Sequence, residues 1–125
     1  MRYRTFGFLA MAGLLLATTQ AVAHHSFAAQ YDEEHLSKLN GIVSKVGWSN
    51  PHAYISVEVK DANGGVATWV VEMGPPYALQ RVGWTRTTLK VGDTINFDVN
   101  LARDGSKTAG ATSAILASGQ RLGTR

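Results

Sequence analysis

The sequence contains no cysteine, only three prolines, and no long apolar run after its first 23 residues. Without cysteine, neither a disulfide nor a thiolate metal site is open to this chain. Without a later apolar run of about 20 residues, the remainder of the chain offers no membrane-spanning helix. Stability must therefore come from the burial of apolar side chains, and 45% of the 125 residues are hydrophobic.

The first 23 residues have the order of a secretory signal peptide. Arg2 and Arg4 precede an apolar run, FGFLAMAGLLLA, and a polar stretch then ends in small residues at Ala21 and Ala23. Small residues at these two positions are typical of a cleavage site, and the apolar run is too short to cross a bilayer. We therefore predict that residues 1–23 are removed on export to the periplasm. A membrane anchor, the alternative, requires that cleavage fails.

Removal of this segment changes the charge balance. The segment holds two of the twelve Lys and Arg residues and none of the nine Asp and Glu residues, so ten basic residues remain against nine acidic ones. Such a balance, without a clustered basic face, does not suit the phosphate backbone of a nucleic acid. The sequence thus predicts no nucleic-acid partner, and it indicates no oligomeric state.

The mature chain is predicted to form an N-terminal arm at 24–37 and one domain at 38–125, because its length suffices for a single core. Apolar alternation and turn residues predict strands at 39–48, 53–60, 66–73, 94–101 and 109–117. A helix at 77–82 and a short final hairpin through Arg121 and Leu122 complete the pattern. This order is that of an OB-type five-stranded barrel, so we expect a mainly all-β fold. A small open sandwich or an SH3-like barrel is the alternative.

The turn DANGG at 61–65 predicts an antiparallel hairpin. If Lys60 faces Val66, the apolar faces of the two strands coincide, and the same register puts His52 diagonal to Glu72, with Tyr54 directly opposite Glu72. The residues expected to share one core are Ile55, Val57, Trp69, Val71, Phe97, Val99 and Ile115.

Four segments of the mature chain read HHSFAAQY, GIVSKVGWSNPHAYISVEV, WVVEMGPPYALQRVGW and LKVGD. They resemble a family of small exported bacterial proteins that is classed as a domain of unknown function. The most specific parts are the histidine start, the WSNPHA corner and the Gly83–Trp84 pair. The chain departs from the pattern at Tyr54, where tryptophan is expected in relatives. The resemblance implies export and a compact β domain, and it transfers no activity.

The chain has four histidines, His24, His25, His35 and His52, and all lie in the predicted mature part. If cleavage follows Ala23, His24 offers both its imidazole and its α-amino nitrogen to one metal ion. Deprotonation of an amine with a pKa near ~8 costs little at neutral pH. This arrangement resembles the histidine brace of copper proteins. Nitrogen ligands without thiolates favour Cu(II), with zinc as the second choice.

The predicted metal ligands are His24, His25, His52 and Glu72. His52 lies in a corner whose shape proline fixes, and Glu72 is close enough either to orient its ring or to bind the ion. In the competing interpretation, the paired histidines are solvated, His52 bonds to the turn backbone and Glu72 is a surface charge. His35 is interpreted as a solvated residue on the acidic arm.

The remaining side chains indicate no catalysis. The serines lack a G-x-S-x-G context and no pair of carboxylates stands out, so classical hydrolysis is disfavoured. With no catalytic motif found, we predict that the protein is not an enzyme, and an oxidative copper enzyme is the third hypothesis, because the domain is small and shows no obvious substrate groove. Trp48, Trp69 and Trp84 are interpreted as packing residues. The predicted function is copper binding by a periplasmic OB-like domain. The alternative is a metal-free module that binds a small ligand or a protein on the barrel face near Trp84.

Overall fold

The computed structural model describes residues 27–125, which contain six strands and, between the third and the fourth, one short helix. These are β1 (Ser37–Gly47), β2 (Tyr54–Lys60), β3 (Val66–Glu72), α1 (Pro76–Arg81), β4 (Thr94–Leu101), β5 (Thr108–Leu116) and β6 (Arg121–Gly123). All lie in one compact unit, Tyr31–Arg125, and residues 27–30, which are helical, belong to another. Each predicted strand and the predicted helix is present, with bounds within two residues of those expected.

The first five strands close into a barrel in the order β3-β2-β1-β4-β5. A parallel pairing of β3 with β5 completes the ring, and the other neighbours in it are antiparallel. The short strand β6 pairs with β5 as an additional strand. This is the predicted five-stranded OB-type barrel, with its helix between the third and fourth strands.

The strand β1 bends so that it belongs to both halves of the barrel. Its first half pairs with β4 and its second half with β2, and Ile42 has a partner on each side. At Gly41, a Cβ atom would lie 2.6 Å from the backbone oxygen of Glu58, so only glycine permits this close approach. An irregularity between Val43 and Lys45 adds to the bend.

The β2–β3 hairpin has the predicted register. Lys60 is paired with Val66 at one end, and Tyr54 with Glu72 at the other. The side chain of Asp61 closes the turn, because its Oδ1 accepts hydrogen bonds from the backbone N–H groups two and four residues later, at 2.9 and 2.8 Å. The hairpin therefore brings the chain around His52 next to the chain around Glu72.

Apolar side chains from the strands fill the barrel. The predicted core residues that are buried are Ile55, Val57, Val71, Phe97 and Val99. Trp69 is partly buried and packs against them. The faces of β2, β3 and β4 that the sequence alternation predicted to be buried are thus the faces that line the interior.

The placement of Ile115 in the core was wrong. Asp98 pairs with Ser113, but the next residue of β4 pairs with Ala111, so Thr112 is an extra residue on β5. Such a bulge reverses the alternation beyond it. Ile115 consequently lies opposite an exposed asparagine and is only half-buried, while Ala114 beside it is fully buried.

The helix α1 begins after Pro75 and buries Leu79. Gly83, with a φ of 103°, reverses the chain after it. Trp84 then enters the core with 2% of its surface exposed, and its indole N–H donates to the backbone oxygen of Gly123 at 2.7 Å. Neither this helix nor the helical residues 27–30 have the length and apolarity needed to cross a membrane.

Candidate functional site around His52 and Glu72

His52 lies at the end of the β2–β3 hairpin that is opposite the turn. The next residue, Ala53, still bonds across the hairpin: its N–H donates to the Gly74 carbonyl at 3.0 Å, and its carbonyl accepts from the Met73 N–H at 2.9 Å. Ala53 is fully buried, and the Asn50–Pro51 peptide bond is cis. His52 therefore precedes backbone that the hairpin fixes in place.

The ring of His52 has a defined orientation. Its Nδ1 lies 3.1 Å from the backbone oxygen of Met73 and 3.6 Å from Oε1 of Glu72, and 42% of the side chain is exposed. A carbonyl oxygen can only accept a hydrogen bond, so this contact assigns the proton of the neutral ring to Nδ1. The other nitrogen, Nε2, then carries the lone pair that a metal ion requires.

Glu72 is a buried carboxylate whose two oxygens face different groups. Oε2 accepts a hydrogen bond from the hydroxyl of Tyr31 at 2.6 Å, and Oε1 faces Nδ1 of His52. Of the two roles that the sequence left open for Glu72, this geometry favours orientation of the His52 ring. A carboxylate behind a histidine ring fixes the tautomer and strengthens the ring as a ligand.

Tyr31 is a site residue that the sequence reasoning missed. It is fully buried and forms an isolated β-bridge with Ala102, and the next residue, Asp32, donates its N–H to the Leu101 carbonyl at 2.9 Å. Burial first, and then the hydrogen bond and charge of Glu72, raise the pKa of Tyr31 well above its usual range. A large aromatic residue within a mainly polar arm was the available signal.

Two further groups surround the carboxylate. Tyr54 lies directly opposite Glu72 on β2, as expected, and desolvation together with the Glu72 charge raises the pKa of its phenol. Arg125 donates from Nε to the Ala111 carbonyl at 3.1 Å, and its guanidinium interacts with Glu72 electrostatically. Both phenols are therefore neutral at neutral pH. The positive charge of Arg125 acts on Glu72 in addition to the contacts that Glu72 makes with Tyr31 and His52.

Of the four predicted ligands, the structure brings His52 and Glu72 together. His24 and His25 lie outside the described residues. His35 is at a different place, with 77% of its side chain exposed and its Nδ1 2.8 Å from Oδ2 of Asp32. Asp32 also accepts from the N–H of Glu34 at 3.1 Å, and the ligand atoms of these three residues lie within 4.8 Å of one another. Asp32, Glu34 and His35 thus lie around a turn of the N-terminal arm, at its surface.

The tryptophans are packing residues, as expected. Trp84 is buried, and Trp48 and Trp69 are partly buried against the core. The amino group of Lys107 lies 5.5 Å from the centre of the Trp69 ring. Within residues 27–125 the three indoles thus contribute to packing of the barrel core.

The outer face of the barrel carries a groove of about 470 Å³ over β1. Ile42 and Val66 line it with 50% and 60% of their surfaces exposed. Asn40 and Asn96, which are paired across β1 and β4, add two exposed amides. This groove is formed by different residues from those around Glu72.

A family model described as a family of unknown function, DUF6152, matches residues 12–112. The chain belongs to this family. The match spans most of the barrel, including the His52 corner and Glu72, and agrees with the resemblance seen in the sequence. No curated protein and no solved structure matches the chain.

Proposed function

We propose that this protein is an exported periplasmic domain that binds one copper ion through His52 and the histidines of its mature N-terminus, for handling or delivery of the ion. The observation that carries the proposal is the orientation of His52. Both of its close polar contacts within residues 27–125 are made by Nδ1. The ring is therefore held from behind, with Nε2 available as a ligand on a partly exposed side chain.

The chain length between the predicted ligands supports the proposal. His24 precedes Tyr31 by seven residues, from position 24 to position 31, and seven residues span up to roughly 25 Å when extended. Tyr31 itself is fixed to the barrel, and one carboxylate lies between its hydroxyl and the His52 ring. The length of the intervening chain therefore allows His24 and His25 to reach His52.

The donor set points to copper. An α-amino nitrogen and imidazole nitrogens, without thiolates, follow the affinity order in which Cu(II) exceeds Zn(II). Glu72 would otherwise offer an oxygen ligand, but its two oxygens face Tyr31 and His52. We therefore place Glu72 behind the site and assign ligand roles to His24, His52 and, as an additional donor, His25.

A second candidate function belongs to a different class. The groove over β1, with exposed Ile42 and Val66 beside two amides, favours a metal-free module that binds a small ligand or a protein segment. This candidate requires no contribution from the histidines. The two functions are separated by whether variants of His52 or variants of Ile42 change the binding that is measured.

Competition titration of Cu(II) against a chelator tests the first proposal. The protein that begins at His24 is expected to bind one Cu(II), and retention of Ala23 should weaken binding more than tenfold because the amine is displaced from the chelate. His52→Ala should weaken it about tenfold, and binding should decline as the pH falls below about 6.5, where imidazoles protonate. His35→Ala is the matched control and should change nothing. Equal binding by all four proteins would contradict the proposal.

A further inference from the structure

We propose that Tyr31 is a positioning residue of the His52 site, whose hydroxyl holds the Glu72 carboxylate behind the His52 ring and keeps it away from the metal. The role in metal binding rests on the proposed function. The contacts themselves are present in the metal-free protein. Three side chains that are distant in the sequence form one chain of contacts: Tyr31 hydroxyl to Glu72 Oε2 at 2.6 Å, and Glu72 Oε1 to His52 Nδ1 at 3.6 Å.

The hydroxyl of Tyr31 decides which way the carboxylate points. A carboxylate can rotate about its last bond, and a charged group that is 11% exposed is stabilised strongly by each donor it finds. With Oε2 bound by the phenol, Oε1 is directed at Nδ1 of His52. If the phenol hydroxyl is removed, Oε2 loses its buried donor, and the carboxylate gains freedom to turn towards Arg125 or the exposed side of His52.

The position of Tyr31 in the chain couples this contact to the fold of the barrel. Tyr31 forms an isolated β-bridge with Ala102. Its ring is fully buried, and from there its hydroxyl reaches Glu72. The orientation of the Glu72 carboxylate therefore depends on the packing of the Tyr31 ring in the interior.

The Met73 carbonyl provides a comparison within the same site. It also accepts from Nδ1 of His52, at 3.1 Å, and it belongs to the backbone of the hairpin. Loss of Tyr31 or Glu72 leaves this contact in place, so the population of the Nδ1–H tautomer should fall but should not disappear. The shift in the His52 tautomer that these variants cause therefore measures the effect of the Glu72 carboxylate alone.

The test is the tautomer of His52, measured by long-range ¹H–¹⁵N NMR in metal-free protein at about pH 7.5, where imidazoles are mostly neutral. The wild type should show mainly the Nδ1–H form. Tyr31→Phe, which keeps the buried ring and removes only the hydroxyl, should raise the Nε2–H fraction several-fold. Tyr77→Phe is the matched control, because Tyr77 is 62% exposed on α1, and it should leave the tautomer unchanged.

Copper affinity then links the tautomer to the site. Tyr31→Phe and Glu72→Gln should each weaken Cu(II) binding several-fold, and less than His52→Ala does, because each removes the orientation of the ligand and not the ligand itself. The double variant should lose no more than the larger of the two single losses, because both residues act through one contact. Tyr77→Phe should bind as the wild type does.

The outcomes separate this inference from the proposed function. A shifted tautomer in a protein that binds no copper would support the positioning role and contradict the copper proposal. An unchanged tautomer in folded Tyr31→Phe would overturn the inference, as would a loss of affinity in Glu72→Gln without one in Tyr31→Phe. If Tyr31→Phe does not fold, Glu72→Gln decides: an unchanged His52 tautomer in that variant also overturns the inference.

Discussion

Glu72 and Asp98 are two carboxylates with almost the same exposure, 11% and 12% of the side chain, but with different partners. Asp98 accepts from Lys38 at 2.6 Å, from Ser113 at 2.8 Å and from Arg121 at 3.0 Å. These donors come from β1, β5 and β6, so Asp98 links three strands to its own. Glu72 accepts instead from a neutral phenol and faces an imidazole.

This difference separates a carboxylate that links strands from the one that we propose lies behind a binding site. The cations beside Asp98 lower its pKa to about 2, with the hydrogen bond from Lys38 as the largest cause, followed by those from Ser113 and Arg121. Its charge is thereby neutralised by fixed partners. Glu72 accepts one hydrogen bond, from the phenol of Tyr31, and its other oxygen lies 3.6 Å from Nδ1 of the partly exposed His52 ring. The guanidinium of Arg125 also acts on Glu72 electrostatically, so what distinguishes Glu72 from Asp98 is its contact with a phenol and an imidazole.

Replacement of Phe97 should have the largest effect, because Phe97 is a large buried side chain of the barrel core. Phe97 is 1% exposed, and Phe97→Ala should lower the free energy of unfolding by about 3 to 5 kcal/mol through the cavity it leaves. Asn96→Ala, at the exposed neighbour on β4, should change it by less than about 0.5 kcal/mol. Urea denaturation measures both, and similar values for the two variants would refute the assignment of the inner face.

Asp98→Asn should rank next, and it compares the two carboxylates directly. We expect a loss of about 1 to 2 kcal/mol, because Lys38 and Arg121 are largely exposed and the network is partly screened by solvent. Glu72→Gln should cost less, since an amide oxygen still accepts from Tyr31. The same denaturation experiment checks the order. A larger loss in Glu72→Gln would mean that Glu72 is the structural carboxylate.

The smallest expected effect is the change with acid pH in the contribution of Asp98 to the free energy of unfolding. Its folded pKa of about 2 lies below the ordinary value of 3.8. The contribution of Asp98 to stability is therefore fully present above about pH 4 and is lost as the pH falls towards 2. The difference in unfolding free energy between wild type and Asp98→Asn should be constant at higher pH and shrink through this range. A difference that stays constant down to pH 2 would argue against the depressed pKa.

The parts of this molecule that the sequence predicts are those set by local pattern. The alternation in β2 and β3 and the turn between them are enough to predict the register, and the register alone puts His52 near Glu72. Export from a cleavable signal peptide and copper binding by the N-terminal histidines stay predictions, because they concern residues before position 27.

The parts that could not be predicted depend on contacts between distant residues. The Tyr31–Glu72 bond joins positions 41 residues apart, and the Lys38–Asp98 pair joins positions 60 apart. Ile115 was misplaced because one extra residue, Thr112, reverses the faces of β5. The three residues at the end of β5, Ala114, Ile115 and Leu116, are all apolar, so the sequence does not show which of them face the core.

Electron paramagnetic resonance of the Cu(II)-loaded protein that begins at His24 tests the central claim most directly, because nitrogen hyperfine couplings count the nitrogens bound to copper. If His52 is a ligand, His52→Ala should lose one coupled nitrogen, and His35→Ala should retain the wild-type spectrum. Identical spectra for wild type and His52→Ala would show that copper does not bind at His52, and the site around Glu72 would then need another explanation.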